Sequence, residues 1–152
     1  MQRNDIGSCD ELGHMQSQAN RDVRPSALLG VAIALLKSPD KWAPGCLAET
    51  AQGTKTDPTD ARAVRWGCVG ALIRACALYN VSPDGPAFGA AMLYLHQAAG
   101  LRRSGRLIFD WETDSGRRHE NVLGVLRHAA LLAHSQERAD ALKAAEVPAG
   151  RA

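Results

Sequence analysis

The sequence predicts a mostly α fold: a compact, single-domain bundle of about four main helices with a small irregular or hairpin insert. The chain has 152 residues, the size of one ordinary domain, and 45% of them are apolar, which is enough for a core. Only 5% are aromatic. The core must therefore be built mainly from Ala, Leu, Val and Ile, which suits closely packed helices better than aromatic-rich strands.

Local patterns place the four helices. They are expected at residues 27–37, 58–79, 86–99 and from 114 or 115 to at least 133. Prolines near the start of the first three supply the backbone angle that a first helical residue needs. The last helix follows from residues spaced three and four apart on one face: His119, Val122, Leu123, Leu126, Ala130 and Ala133. From Ser135 the polar fraction rises, so this helix either continues as an exposed extension or restarts there.

The second predicted helix contains two glycines, Gly67 and Gly70. A glycine costs about 1 kcal/mol in a helix interior because it has the most backbone freedom to lose. We therefore expect a neighbouring backbone to approach this segment too closely for a larger residue.

The remaining segments are predicted to be irregular, extended or flexible. Residues 41–56 lack a helical period and suggest a small hairpin with its turn at Gln52-Gly53. Residues 104–111 fit a short strand or a single helical turn, and we assign them as extended. The domain is expected to span residues 25–147, between a polar, flexible leader at 1–24 and a frayed end at 148–152.

The charge balance excludes a strong global field for nucleic acid or anionic membranes, since 18 basic residues face 16 acidic ones. Nucleic-acid binding stays open only as a local alternative through Arg102, Arg103 and Arg106. The strongest apolar run, residues 27–36, is about half the ~20 residues that a membrane span needs. We expect no membrane association and no cofactor, and the oligomeric state is left open.

Cysteine and histidine spacing does not match a metal site. The four cysteines, Cys9, Cys46, Cys68 and Cys76, lack the paired spacing of zinc ligands, and a chain of this length does not require disulfides. Reduced thiols and a polar N-terminus without a secretory signal predict a cytoplasmic protein.

Two tryptophan-centred segments carry the most information, residues 66–72 and 111–120. Together with Trp42 and Gly45, they resemble an uncharacterised family of small helical proteins from actinobacterial and phage genomes. The matching positions are Trp66, Gly70, Ala71, Leu72, Trp111, Gly116, Arg117, Val122 and Leu123. The chain departs from the family pattern at Gly67-Cys68, where the pattern has cysteine one place earlier, and at Glu112-Thr113, where it has Asn-Asp. The resemblance implies a compact helical fold over residues 28–133 and supplies no activity.

The candidate binding surface lies at the predicted start of the last helix. Its residues are Trp111, Asp114, Arg117, Arg118 and His119, with Trp66 and Cys68 as secondary candidates. The arginines and free helix N–H groups suit a phosphate or carboxylate, whereas pairing of Arg117 with Asp114 or Glu112 would instead pin the loop. A calcium loop over residues 110–121 is disfavoured because its glycine is at the seventh position instead of the sixth and its twelfth position is Asn121 instead of a glutamate.

Catalysis by Cys68 with His119 as its base is the weaker interpretation, because buried structural cysteines are usually inert. No catalytic residue and no metal ligand is therefore assigned. The sequence favours a small non-enzymatic binding or regulatory protein, phage-associated, that acts through a protein partner. The alternative is a small enzyme or binder for a phosphorylated or other anionic ligand at the start of the last helix.

Overall fold

A computed structural model describes residues 23–146. In chain order its elements are α1 (Pro25–Leu35), a 3-10 turn (Pro39–Lys41), β1 (Ala48–Thr50), β2 (Ala63–Trp66), α2 (Cys68–Leu78), α3 (Pro86–Ala98), α4 (Ile108–Glu112) and α5 (His119–Glu146). The predominance of helix is confirmed, and a two-stranded antiparallel sheet accompanies it. Residues 1–22 of the leader predicted at 1–24, and the frayed end predicted at 148–152, lie outside the described residues.

Helix α1 occupies the middle of the helical layer and contacts α2, α3 and α5. Its segment is apolar on nearly all sides, and Leu28, Leu29 and Ala32 are completely buried. Small residues of the neighbouring helices, such as Ala75, Ala91 and Ala129, belong to the same buried core.

The predicted helix at residues 58–79 is wrong in its first half. The side chain of Asp57 accepts a hydrogen bond from Thr59 N–H, and that of Asp60 accepts one from Arg62 N–H. Such side-chain turns compete with helical hydrogen bonding and are typical of loops. The chain then forms β2, and a helix begins only at Cys68 with Gly67 as its N-cap residue.

The predicted hairpin turn is present, but its first strand has a second partner. Gly53 adopts a positive φ of 79°, and an isolated bridge joins Glu49 to Lys55 across the turn. β1 also pairs antiparallel with β2, with Ala48 opposite Trp66. The sheet therefore connects the insert to the start of α2.

The close approach predicted at the two glycines is confirmed. A Cβ atom on Gly67 would collide with the carbonyl oxygen of Cys46, and one on Gly70 would collide with the backbone of Leu47. The loop before β1 thus rests directly on the first turn of α2.

Residues 104–111 are not extended, because Ile108 begins the short helix α4. Ile108, Trp111 and Glu112 are buried on one face, at the spacing of a helical turn. The last helix starts at His119, later than predicted, since Gly116 takes a φ of 84° and interrupts the chain before it. α5 then continues without a break through Ser135 to Glu146.

Candidate functional site

Asp114 is the centre of the predicted binding surface. Its carboxylate accepts two hydrogen bonds from Arg106, at 2.7 and 2.8 Å, and lies 3.4 Å from Arg117 Nη2. Hydrogen bonding to Arg106 is the main cause that lowers the pKa of Asp114 below its ordinary value. One carboxylate therefore ties the loop before α4 to the loop before α5.

Arg117 is held on three sides. Its guanidinium lies over the ring of Trp111, 4.1 Å from the ring centroid, and its Nε donates to the Trp111 carbonyl oxygen at 3.0 Å. With the ion pair to Asp114, these contacts pin the loop of residues 113–118 against a buried tryptophan. The predicted pairing of Arg117 with Asp114 is present.

Arg118 and His119 point to different surroundings. The side chain of Arg118 is 77% exposed and lies 3.9 Å from Glu120. His119 bonds through Nε2 to the Leu36 carbonyl oxygen, so Nε2 carries the proton, and its ring packs against Trp42 with centroids 6.1 Å apart. The side chain of Arg118 therefore faces solvent, whereas that of His119 contacts the end of α1.

The secondary candidates, Trp66 and Cys68, lie in the core. The Trp66 indole donates to the Pro58 carbonyl oxygen at 3.1 Å, and Cys68 is completely buried. Burial, reinforced by the nearby Glu112 carboxylate, raises the pKa of the Cys68 thiol well above its usual range. A high pKa disfavours the thiolate that nucleophilic catalysis needs. Cys68 and His119 contact different partners instead of each other.

Glu112 is the polar group that the sequence did not identify. It is 1% exposed, and its Oε1 accepts hydrogen bonds from Trp42 Nε1 at 2.6 Å and from Cys68 N–H at 3.1 Å. Oε2 is buried beside Gly67 and has no hydrogen-bond partner within residues 23–146. Burial raises the pKa of Glu112 to about 7, and the donated hydrogen bonds offset part of that rise. In the sequence, Glu112 was named only as a departure from the family pattern and as a possible partner of Arg117. Burial of an acid is rare, and no local pattern marked this one.

The oxygens considered for a calcium loop do not converge. Glu112 turns inward to Trp42, whereas Asp114 turns outward to two arginines. Over the described part of the chain, no group of three His, Cys, Asp or Glu side chains is arranged to hold a metal ion.

A cavity of about 470 Å³ opens between α3 and the loop that follows it. Leu93, Tyr94 and His96 line its helical side, and Leu101, Arg102 and Arg106 are among the residues of its loop side. Two of the three arginines considered for nucleic acid thus face a concavity, and Arg103 is exposed outside its lining. Arg106, Asp114 and Arg117 together form the Asp114 cluster, and Arg106 links this cluster to the cavity.

A family model matches residues 20–132 of the chain. The chain belongs to DUF6197, a family of unknown function. The matched region contains α1 to α4, the sheet, the cavity and the Asp114 cluster, and it ends within α5. No curated protein and no solved structure matches the chain. Within residues 23–146, none of the helices combines the length and apolar character required to cross a membrane.

Proposed function

We propose that this protein is a small non-enzymatic binding or regulatory protein that acts through contact with a protein partner, at a surface centred on residues 111–120. The observation that carries the proposal is the double pairing of Asp114 with Arg106 and Arg117. It orders two loops before any partner arrives, so little conformational entropy remains to be lost on binding.

The outer part of this surface offers both charge and apolar area. Arg118 and Glu120 are 77% and 74% exposed, and Leu107, the residue after Arg106, is 61% exposed. Exposed charges steer association and select partners, whereas an accessible leucine supplies apolar contact. Resemblance to small proteins of actinobacterial and phage genomes extends the proposal to a bacterial, phage-associated role. The free thiols of Cys46, Cys68 and Cys76 suit a reducing, cytoplasmic location.

The alternative is an enzyme or binder for an anionic ligand at the start of α5, which would need Arg117, Arg118 and His119 to reach one point. Arg117 is committed to Trp111 and Asp114, and His119 to the Leu36 carbonyl oxygen. Arg118 alone of these three is left facing solvent. This distribution favours partner contact over a shared anion site.

A photo-crosslinking amino acid at position 118 tests the proposal, with position 138 as the matched control. Both are exposed arginines at or on α5, and twenty residues of helix separate them by about 30 Å. In nuclease-treated extract of the organism that encodes the protein, we expect a discrete protein adduct from position 118 and none from position 138. The double variant Arg118→Glu, Glu120→Lys reverses the local charges. It should lose partner binding measured without crosslinking, while the Asp114 cluster stays intact.

Equal labelling from both positions, or no adduct at either, would overturn the proposal. A signal that disappears with nuclease would favour the nucleic-acid alternative. Saturable binding of inorganic phosphate that requires Arg118 would favour the anionic-ligand alternative.

A further inference from the structure

The cavity beside α3 is lined by both apolar and basic residues, and the proposed partner surface does not use it. Its lining combines the apolar side chains of Ala90, Leu93 and Leu101 with the guanidinium groups of Arg102 and Arg106. The volume of about 470 Å³ falls within the range of roughly 300–1,000 Å³ that small-molecule sites occupy. We propose that this cavity binds a small organic anion with an apolar body and one carboxylate, sulfonate or phosphate group.

The loop that lines one side of the cavity has a defined backbone conformation. Leu101 is buried, and its N–H donates to the His96 carbonyl oxygen at 2.8 Å. Gly100 and Gly105 adopt positive φ angles of 75° and 68° on either side of Arg102 and Arg103, conformations that larger residues rarely take. The site therefore requires no large rearrangement before it is occupied, which is typical of small-molecule pockets.

The charge of the loop defines the ligand. Residues 99–107 contain three arginines and no acidic residue. Arg106 is neutralised by Asp114, whereas Arg102 makes no ion pair or side-chain hydrogen bond within residues 23–146. An accessible guanidinium at the end of an apolar cavity can take both oxygens of an anionic group. Arg102 is thus the group that should bind the anion.

The opposite wall suits the body of the ligand. Leu93 is 70% exposed, so its large apolar side chain lines the cavity and is not part of the core. His96 Nδ1 donates to the Met92 carbonyl oxygen at 2.7 Å, which fixes the imidazole ring against its own helix. A flat or branched apolar group would cover Leu93 and leave the anionic group at Arg102.

Fluorescence titration with 1-anilinonaphthalene-8-sulfonate tests the inference, since this probe joins an aromatic body to one sulfonate. We expect saturable binding to the folded full-length chain. Arg102→Ala should weaken it by about tenfold or more, the usual size of a lost charge-assisted hydrogen bond. Ala90→Phe should weaken it by filling part of the cavity. Arg103→Ala is the matched control, because that neighbouring arginine lies outside the lining, and it should leave affinity within about twofold.

N-phenyl-1-naphthylamine supplies the same body without the charge. If it binds as tightly as the sulfonate, or if Arg103→Ala weakens the sulfonate as much as Arg102→Ala does, the inference fails. Absence of saturable binding also overturns it.

Circular dichroism of each variant verifies the fold, and methyl NMR shifts at Leu93 and Leu101 locate the probe. Arg118→Glu should leave this binding unchanged, so failure here and failure of the partner proposal are separate results.

Discussion

Glu112 and Asp114 are two residues apart in the chain, yet one carboxyl group is buried among neutral donors and the other is paired with two cations. Burial raises the pKa of Glu112 to about 7, whereas the hydrogen bonds from Arg106 hold the pKa of Asp114 below its ordinary value. The end of α4 lies between them, and it directs the first side chain inward and the second outward. The difference shows that one short helix separates a buried structural carboxyl group from a partly exposed pair of ion pairs.

The two carboxylates also connect different parts of the fold. Glu112 joins α4 to Trp42 and to the N-terminus of α2. Asp114 joins the loop of residues 99–107 to the start of α5 through Arg106 and Arg117. Loss of the first should therefore affect global stability, and loss of the second should affect local order.

Glu112→Ala is expected to have the largest effect. It leaves the Trp42 indole N–H and the Cys68 backbone N–H buried without an acceptor, at about 1–3 kcal/mol each. The free energy of unfolding from urea titration at pH 6 should fall by about 2–5 kcal/mol. Glu112→Gln keeps one acceptor oxygen and is the control. If the alanine variant is as stable as the glutamine variant, the hydrogen bonds do not support the fold.

The pH dependence of stability should distinguish the two carboxylates by sign. The folded pKa of Glu112, about 7, lies above its ordinary value of 4.5, so the folded state holds the proton more tightly than the unfolded state. Its contribution is complete below pH 4.5 and is lost as the pH rises towards 7, by about 3 kcal/mol over the full interval. The wild type should lose this stability relative to Glu112→Gln between pH 5 and pH 8. Parallel curves for the two proteins would contradict the assignment.

Asp114 should behave in the opposite way. Its folded pKa is lowered, so its stabilising contribution is present at neutral pH and is lost only as the pH falls below about 3.8. Between pH 5 and pH 8, the stability difference between wild type and Asp114→Asn should therefore stay constant, as measured by the same titrations.

Arg117→Ala should have a smaller effect than the loss of Glu112. The variant loses the stack on Trp111 and the bond to its carbonyl oxygen, worth about 1–2 kcal/mol together. Chemical denaturation followed by tryptophan fluorescence measures the change. Arg118→Ala, with an exposed side chain beside it, is the matched control and should stay near the wild type. Equal losses in both variants would show that Arg117 does not pin the loop.

Asp114→Asn should produce the smallest change in global stability, because its two ion pairs are partly exposed and are screened by salt. Its effect should appear in amide hydrogen exchange, as faster exchange in residues 113–118 and unchanged exchange in the core of α1. Added 1 M salt should shift the wild type towards the variant. Unchanged exchange in the loop would show that Asp114 does not order it.

Several structural features could be predicted from local patterns. Pro86 and Gly100 bracket α3, and the apolar stripe of α5 places Val122 and Leu126 in the core. Gln52-Gly53 marks the turn, and Gly70 marks a close backbone contact. Each of these depends on neighbours in the chain or on the absence of a side chain, so its signal is local.

The sequence alone determined the helical class, the turn at Gln52-Gly53 and the pairing of Arg117 with a nearby acid, either Asp114 or Glu112, because all involve residues a few positions apart. The tertiary structure selected Asp114. The tertiary structure decided that residues 63–66 form a strand, since their hydrogen-bond partner, β1, is supplied by a different segment. It also decided the environment of Glu112, whose donors lie 70 and 44 residues away. A buried carboxyl group is stable only when distant donors reach it, and local periodicity contains no information about which distant groups those are.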